Sequence, residues 1–319
     1  MAGMAAPLAL TVCMGGSPFL SLRTRLPSFR GRDGSITRPT AFTKLPDICE
    51  MDEPMPEIDP GLRLAACEAV AREAGSLARR FYEGRDSLEI EKKGAQDLVS
   101  RADREVETLI RDRLTALFPD DGFVGEEHEH ALVDGATGGH WVIDPIDGTW
   151  CFLNGINSWC VSLAYERAGK IEVGVVYDPM AGELFSARRG GGARLNGRPI
   201  RVADATSLGD GSLSLGYSLR VPVETMLPVF EKLLRAGGVY QRHGSGALGL
   251  AWTAAGRLIG YVEPHMNSWD CLAGMLLIEE AGGFNNDFLK NNGLIDGNQV
   301  IAGPKPLRAE LERLTAHWG

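Results

Sequence analysis

Acidic side chains stand at three separated places in this 319-residue sequence where a folded chain ordinarily avoids them. Glu126 follows an apolar pair, Asp144 and Asp147 follow an apolar run, and Asp270 opens an apolar helical segment. Like charges this close repel each other unless a cation or a proton intervenes. Carboxylates, waters and a substrate phosphate are the ligands that Mg²⁺ prefers, so these residue types favour a magnesium site.

The central acidic run has the spacing of a cation site. Pro145 forces an extended or turn geometry on Asp144, so we expect Asp144 and Asp147 to lie on one tight turn, close enough to share a cation. The same turn frees the Ile146 carbonyl from strand pairing and makes it a further oxygen ligand.

Each motif also has a plain structural explanation. The two aspartates fit a turn or a helix cap, Glu126 fits a surface acid, and Asp270 fits a first-turn acid that favours the helix dipole. The structural explanation requires all of these separate interpretations to hold at once, whereas one metal site explains every motif. We therefore favour the metal site. Gly148 and Thr149 add backbone N–H groups at a predicted helix start, a ready anion site.

Composition narrows the class of protein. The net charge of −9 argues against a nucleic-acid binder with a basic surface. Six cysteines without C-x-x-C pairing fit a reduced, intracellular protein. No apolar run reaches the length that crosses a bilayer, so we expect a cytoplasmic enzyme with no membrane partner.

Residues 1–57 differ from the remainder of the chain. Residues 23–44 contain five arginines and Lys44, with prolines and serines between them, and Asp33 is the one acid in this segment. Two interpretations fit: a disordered extension, which we favour, and an organellar transit peptide.

Apolar periodicity predicts helices and strands in alternation. Helices are expected over 61–82, 101–118, 223–236, 245–256, from 269, and over 307–317, with a strand or hairpin loop over 89–100. Strands are expected over 141–143, 160–165, 171–177 and 183–187, and Asn196-Gly197 indicates a hairpin. Helices and strands occur together along the chain, which predicts an α/β layered fold with its seam near Pro199.

The sequence resembles the inositol monophosphatase family from Gly61 to about Trp318. The matching motifs are G-E-E at 125–127, D-P-I-D-G-T at 144–149, and W-D-x-x-A-G at 269–274 with a following E-A-G-G. The resemblance implies the five-layer α-β-α-β-α sandwich of the inositol monophosphatase and fructose-1,6-bisphosphatase type. It also implies a homodimer that requires Mg²⁺ and is inhibited by lithium.

The resemblance assigns metal ligands by position. Glu126, Asp144 and the Ile146 carbonyl would hold the first ion, and Asp144, Asp147 and Asp270 the second. A third, weaker ion would lean on Glu126 and waters. Most of these ligands fall in an N-terminal half, 58–199, while the half from 200 to 319 carries Asp270 and the substrate-binding residues.

The resemblance also assigns catalytic residues. Lys92, Asp97, Val99 and Asp103 match the family's K-x(4)-D-x-V-x-x-x-D stretch, and Asp103 would pair with the Thr149 hydroxyl to orient the attacking water. The catalytic set is Lys92, Asp103, Glu126 and Thr149.

The implied substrate site uses Asp147, the Gly148 and Thr149 amides, and four positions in the second half. Glu263 matches the residue that binds a substrate hydroxyl, although a strand-edge acid explains it nearly as well. Gly244-Ser245-Gly246 resembles the family's G-[ST]-A loop.

The chain departs from the family pattern beside the phosphate amides. Trp150-Cys151 replaces the usual Thr-Asn, so we expect altered packing at the rim of the site. No histidine motif accompanies Cys151 to make it a nucleophile.

The implied reaction is hydrolysis of a phosphate monoester. Two cations about 3.5–4 Å apart stabilise the entering and leaving oxygens of an in-line displacement. Inositol-1-phosphate is the first choice of substrate. The alternatives are fructose-1,6-bisphosphate, 3′-phosphoadenosine 5′-phosphate, histidinol phosphate and NADP. A role as a binding partner of transcription machinery, with catalysis secondary, stays open.

Overall fold

The computed structural model describes residues 59–85, 90–94, 97–127 and 133–318. Side chains are described from Arg101 onward and in the first of these ranges. The predicted N-terminal extension therefore lies outside the described residues. The structure describes only the backbone of Lys92, Asp97 and Val99, so the predictions for their side chains also lie outside it. Within the described residues no helix is long and apolar enough to cross a membrane.

Eight α-helices occur in the described residues. They are α1 (Pro60–Glu83), α2 (Arg101–Leu117), α3 (Thr149–Leu153), α4 (Leu227–Arg235), α5 (Gly246–Ala254), α6 (Ser268–Glu280), α7 (Gly293–Asp296) and α8 (Arg308–Leu314).

A two-stranded hairpin and a seven-stranded sheet form the first half of the fold. The hairpin confirms the strand or hairpin loop expected over 89–100. Strand β3 is parallel to β4, and every later neighbour in the larger sheet is antiparallel. The strands are β1 (Ile90–Gly94), β2 (Asp97–Ser100), β3 (Gly122–Gly125), β4 (Gly139–Asp147), β5 (Cys160–Arg167), β6 (Lys170–Asp178), β7 (Glu183–Arg188), β8 (Ala193–Leu195) and β9 (Arg198–Pro199).

A five-stranded sheet with the order β11-β10-β12-β14-β13 forms the second half. Strand β10 runs parallel to both of its neighbours, β11 and β12, whereas β14 is antiparallel to β12 and β13. The strands are β10 (Ser212–Leu215), β11 (Val239–Gln241), β12 (Gly260–Met266), β13 (Gly283–Asn285) and β14 (Asn298–Pro304).

In the part of the chain that the structure describes, three apolar cores join the two larger sheets to the helices on their faces and give five layers. Successive side chains of a strand point to opposite faces of its sheet, so Trp141 of β4 packs against α1 and α2 while its neighbour Val142 packs against α5 and α6. Helices α5 and α6 also contact the five-stranded sheet, whose other face packs on α4 and α8. The predicted layered α-β-α-β-α architecture is confirmed.

Local sequence fixes the first helix where periodicity predicted it. The Asp59 side chain accepts a hydrogen bond from the Gly61 amide at 2.8 Å, and Pro60 occupies the first helical position, where its missing N–H costs nothing. The hairpin at Asn196-Gly197 is also confirmed, because both residues have the positive φ angles of a tight hairpin turn, 48° and 78°.

Two predicted helix boundaries are wrong. The segment expected to be one helix over 223–236 begins as a 3₁₀ turn, Val223–Thr225, and becomes α-helical only at Leu227. The last helix ends at Leu314 instead of continuing to His317. The larger sheet ends at β9 and the smaller begins at β10, but the division into halves at residue 199 stays an interpretation of the sequence.

Candidate active site

The central acidic run is the end of a strand, so the predicted tight turn is wrong. Strand β4 continues through Pro145 to Asp147, and its pairing with β5 skips from Asp144 opposite Ser162 to Asp147 opposite Cys160. This register shift is a β-bulge, a place where a strand tolerates a proline that cannot donate to the ladder. The bulge therefore brings about the proximity of the two aspartates that the turn was expected to provide.

Three carboxylates from two distant parts of the sequence meet at the bulge. Asp144, Asp147 and Asp270 each offer an oxygen atom, and these atoms lie within 4.8 Å of one another. Asp144 is 1% exposed and Asp147 is 8% exposed, whereas Asp270 is partly buried in the first turn of α6. Parallel pairing of β3 with β4 brings Glu126 to the same edge, where its amide donates to the Ile143 carbonyl at 3.3 Å.

Burial and mutual repulsion disfavour ionisation of this cluster. Burial raises the pKa of Asp144 well above its usual value, and the charges of Glu126, Asp147 and Asp270 raise it further. Burial and the charge of Asp270 raise the pKa of Asp147 to about 7, although hydrogen bonds from the start of α5 oppose the rise. Buried carboxylates held this close fit a hard cation with oxygen ligands, which compensates charges that the protein leaves unbalanced.

Thr149 connects the acidic run with helix α2. Its hydroxyl lies 3.3 Å from Asp103 Oδ1 and 3.1 Å from the Ile146 carbonyl oxygen. A hydroxyl has one proton to donate, so it bonds to one of these acceptors at a time. Asp103 is fully buried. The predicted pairing of Thr149 with Asp103 is therefore present in the fold.

Gly148 occupies a conformation that other residues rarely adopt. Its φ is 98°, and it precedes the first residue of α3, the predicted helix start. A Cβ atom at this position would lie 2.7 Å from the Ser158 carbonyl oxygen. Glycine is thus required both by the backbone angle and by the close approach of the segment that contains Ser158.

The loop at 244–246 joins the second half to the acidic run. Ser245 caps α5 by accepting from the Leu248 amide at 3.1 Å, and its hydroxyl donates to Asp147 Oδ2 at 2.5 Å. The Ala247 amide donates to the same oxygen at 2.7 Å. One oxygen of Asp147 is therefore occupied by the protein.

Glu263 lies in the same cleft with a tyrosine partner. The cleft has a volume of about 580 Å³, and its lining includes the aspartate cluster together with Glu263 and Tyr261. The Tyr261 hydroxyl donates to Glu263 Oε2 at 2.6 Å. Burial raises the pKa of Glu263 to about 7, and the bond from Tyr261 opposes that rise.

The residues that replace the family's Thr-Asn pair take different positions. Trp150 is 52% exposed and lies on the cleft rim. Cys151 is buried against Gly244, where an added Cβ would lie 2.4 Å from its sulfur. Burial raises the pKa of the Cys151 thiol, which disfavours the thiolate that a nucleophile needs.

Two exposed arginines in the cleft were not predicted from the sequence. Arg220 and Arg242 both line it, and Arg242 is held by a hydrogen bond of 3.0 Å to the Tyr217 carbonyl. Both charges oppose the rise in the pKa of Glu263. A single arginine in a loop carries no periodic signal, so the tertiary fold alone could reveal this pair.

Comparisons with known proteins identify the class. The family model described as "Inositol monophosphatase family" matches residues 61–318. The "Inositol-1-monophosphatase" of Rhizobium meliloti (strain 1021) is 40% identical over 255 residues, covering 77% of this chain and 94% of the relative. The "Nus factor SuhB" of Escherichia coli (strain K12) is 38% identical over 247 residues, covering 76% and 92%.

Solved structures agree with the sequence relatives. The extragenic suppressor protein suhB of Bartonella henselae has a TM-score of 0.74 at 36% identity, covering 80% of this chain and 98% of its own. An IMPase of Thermotoga maritima has a TM-score of 0.70 at 30% identity, covering 80% and 97%. The chain belongs to the inositol monophosphatase family, a family of metal-dependent phosphatases. The predicted family and fold are confirmed.

Proposed function

We propose that this protein is a Mg²⁺-dependent phosphomonoesterase that hydrolyses a small phosphorylated polyol, with myo-inositol-1-phosphate as the first choice. One observation carries the proposal: Asp144, Asp147 and Asp270 converge within 4.8 Å in a cleft of about 580 Å³. A cluster with this much unbalanced negative charge is suited to cations and the phosphate they attract.

The metal ligands proposed are the carboxylates of Glu126, Asp144, Asp147 and Asp270 with the Ile146 carbonyl, for two or three Mg²⁺ ions. When bound, such ions polarise phosphoryl oxygens and lower the pKa of water. Because Asp147 Oδ2 already accepts protein hydrogen bonds from Ser245, Ala247 and Cys160, its Oδ1 is the freer oxygen for a cation. Inhibition by lithium belongs to the same proposal.

The chain's own residues hold and orient the reactants. Thr149, paired with Asp103, would orient the attacking water by its hydroxyl oxygen, and Lys92 is proposed as a further catalytic residue. The amides of Gly148 and Thr149 would hold the phosphate. A preorganised donor set of this kind reduces the reorganisation that the transition state requires.

The polyol would lie between the loop at 244–246 and β12. Glu263 is proposed to accept a hydrogen bond from a substrate hydroxyl, with Tyr261 fixing its orientation. The relative named inositol-1-monophosphatase supports a polyol phosphate. Ser245, which contacts Asp147, connects the polyol pocket to the metal ligands.

Parallel turnover assays test the substrate. The purified full chain with Mg²⁺ is offered each phosphate named above, and released phosphate is measured. The proposal expects the highest kcat/KM with inositol-1-phosphate. Higher kcat/KM with another ester would overturn that choice while keeping the phosphatase.

A substrate with a second anionic group is the other candidate. Arg220 and Arg242 line the cleft beside Glu263, and guanidinium groups recognise phosphate well. Fructose-1,6-bisphosphate and 3′-phosphoadenosine 5′-phosphate fit this description. A variant with both arginines replaced by glutamine would lose bisphosphate turnover selectively if this candidate is right.

A non-catalytic role remains a proposal of another class. The resemblance implies binding to transcription machinery, and a pull-down with the full chain tests it. We also propose a cytoplasmic location and a homodimer for the protein, independently of this role, and light scattering tests the homodimer. The net charge of −9 supports contact with a basic protein over direct contact with nucleic acid.

A further inference from the structure

A second acidic side chain lies one helical turn beyond Asp103 and belongs to no motif described so far. Glu107 of α2 is fully buried. Residues four apart lie on one face of a helix, so α2 directs both carboxylates toward the sheet edge that carries the site. Burying a carboxylate costs free energy unless the group is paired and hydrogen-bonded. The contacts of Glu107 therefore indicate what its burial is for.

Both oxygens of Glu107 accept hydrogen bonds. Oε2 accepts from the Glu127 amide at 2.8 Å, and Oε1 accepts from Arg111 Nε at 2.7 Å. The Arg111 guanidinium also lies over the Phe123 ring of β3, 5.2 Å from its centroid. The Glu107–Arg111 pair therefore contacts both the strand that leads to Glu126 and the residue that follows it.

Gly125 allows this approach. A Cβ atom at Gly125 would lie 2.3 Å from Glu107 Oε1 and 2.6 Å from Arg111 Nη2. The Glu107–Arg111 pair thus holds the backbone on both sides of Glu126. Gly125 packs closely against the pair before Glu126, and the Glu127 amide donates to Glu107 after it.

We propose that Glu107, supported by Arg111, is a positioning residue that orients Glu126 toward the aspartate cluster. The inference rests on the proposed function in one respect, that Glu126 binds a cation. Glu107 itself contacts the backbone beside Glu126 and acts through it. Hydrogen bonds to a charged acceptor are stronger than neutral ones, so a carboxylate fixes this loop better than an amide would.

Calorimetric titration of Mg²⁺ into the metal-stripped full chain tests the inference without substrate. Glu107→Gln keeps the shape of the side chain but has one acceptor for two donors. Outer-shell partners of metal ligands typically contribute about 10–100-fold to metal affinity, so we expect Kd for Mg²⁺ to rise by about tenfold or more. Circular dichroism checks that the variant is folded.

Glu105→Gln is the matched control. Glu105 lies on the same helix and pairs with Arg101, and these side chains are 42% and 71% exposed, whereas Glu107 is fully buried. The substitution makes the same change of charge two residues from Glu107 but on a different face of the helix, and we expect the Kd to remain within about twofold of that of the unaltered protein, as for an exposed ion pair.

A double variant separates positioning from general damage. If Glu107 acts through Glu126, Glu107→Gln should change Kd less than about threefold when Glu126→Gln is already present, because contacting residues are not additive. Equal effects in both backgrounds would overturn the inference. Should Glu107→Gln fail to fold, Arg111→Gln replaces it in the same cycle, with the same result expected.

The outcomes distinguish this inference from the proposed function. An unaltered chain that binds no Mg²⁺ contradicts the proposed function itself. If the unaltered chain and Glu107→Gln bind Mg²⁺ with the same Kd, only the positioning role is contradicted. Faster hydrogen exchange at the Glu127 amide in Glu107→Gln, but not in Glu105→Gln, would support that role independently of metal.

Discussion

Asp144 is a buried carboxylate whose neighbours are other carboxylates, and this determines how its charge affects stability. Burial and the charges of Glu126, Asp147 and Asp270 raise its pKa in the folded protein. Because the folded pKa is above the unfolded value, the stabilising contribution is fully present below the usual aspartate pKa. It is lost as the pH rises through the folded pKa.

Asp144→Asn should therefore stabilise the metal-free protein. The amide removes one buried negative charge yet keeps an oxygen for the Ile146 amide, which now donates to Asp144 Oδ1 at 3.0 Å. We expect a gain of about 1–2 kcal/mol near pH 8, measured by urea unfolding of metal-stripped protein. The gain should vanish near pH 4, and an equal or lower stability at pH 8 would contradict the charge argument.

Glu263 should give substrate binding a dependence on pH. Burial raises its pKa to about 7, and its ionised form is the better acceptor for a substrate hydroxyl. We expect KM to fall several-fold between about pH 6 and about pH 8 as Glu263 ionises. Glu263→Gln should remove this dependence.

Tyr261→Phe is the companion measurement, since the tyrosine bond lowers the pKa of Glu263. Loss of that bond should move the midpoint of the KM profile to higher pH. An unchanged profile in both variants would show that Glu263 does not contact the substrate.

At the scale of elements, the turn from β4 into α3 depends on glycine. Gly148→Ala would impose a φ of 98° on an alanine and drive its Cβ to 2.7 Å from the Ser158 carbonyl. Backbone strain of this kind costs about 1–3 kcal/mol. Displacement of the Thr149 hydroxyl by about 1 Å should reduce kcat about a hundredfold.

Gly138→Ala is the matched control for that substitution. Gly138 also has a positive φ, 65°, but no described atom lies within 4 Å of its added Cβ. It should lose about 1 kcal/mol of stability and keep full activity by phosphate release. Equal losses of activity in the two variants would contradict the role assigned to the turn.

Periodicity and motif spacing predicted most elements because apolar faces and caps are local properties of the chain. The first helix, expected from residue 61 and observed from Pro60, and the hairpin at Asn196-Gly197 followed from short-range patterns. The five-layer order followed from the family resemblance. The bulge between Asp144 and Asp147 did not, because strand pairing with a distant partner decides whether such a run turns or continues.

The candidate site was predicted unevenly for the same reason. The carboxylates stood out because their motifs are acidic in apolar surroundings. Arg220, Arg242 and Tyr261 face the cleft through loop paths and strand register that one sequence does not reveal. Glu107 resembled an ordinary helix-surface acid until the fold buried it against the Glu127 amide.

At the scale of the whole molecule, cation binding should be linked to folding. The aspartates of the cluster come from β4 and α6, two elements that pack against each other through the core that contains Val142. A ligand that binds only the folded state stabilises it by about 2.7 kcal/mol at a hundred times its Kd. We expect Mg²⁺ to raise Tm, and to raise it more at pH 8 than at pH 5.

Differential scanning calorimetry with and without Mg²⁺ measures this linkage, with Ca²⁺ and K⁺ as comparison ions. The pH trend follows from the raised pKa of Asp144 and of Asp147, since protons compete with the cation at low pH. A Tm that does not respond to Mg²⁺ at pH 8 would contradict a cation site in the cleft.

Phosphate release by Asp144→Asn, compared with the unaltered chain, tests whether the protein is a metal-dependent phosphatase that uses this aspartate cluster. Both proteins are stripped with chelator, reloaded with Mg²⁺ and given inositol-1-phosphate and the alternative esters. We expect turnover by the unaltered chain that disappears with chelator and returns with Mg²⁺. We expect none by the folded variant, because a neutral amide cannot replace a charged ligand in a cation site. Substantial turnover by metal-loaded Asp144→Asn, or turnover undiminished by chelator, would contradict this expectation.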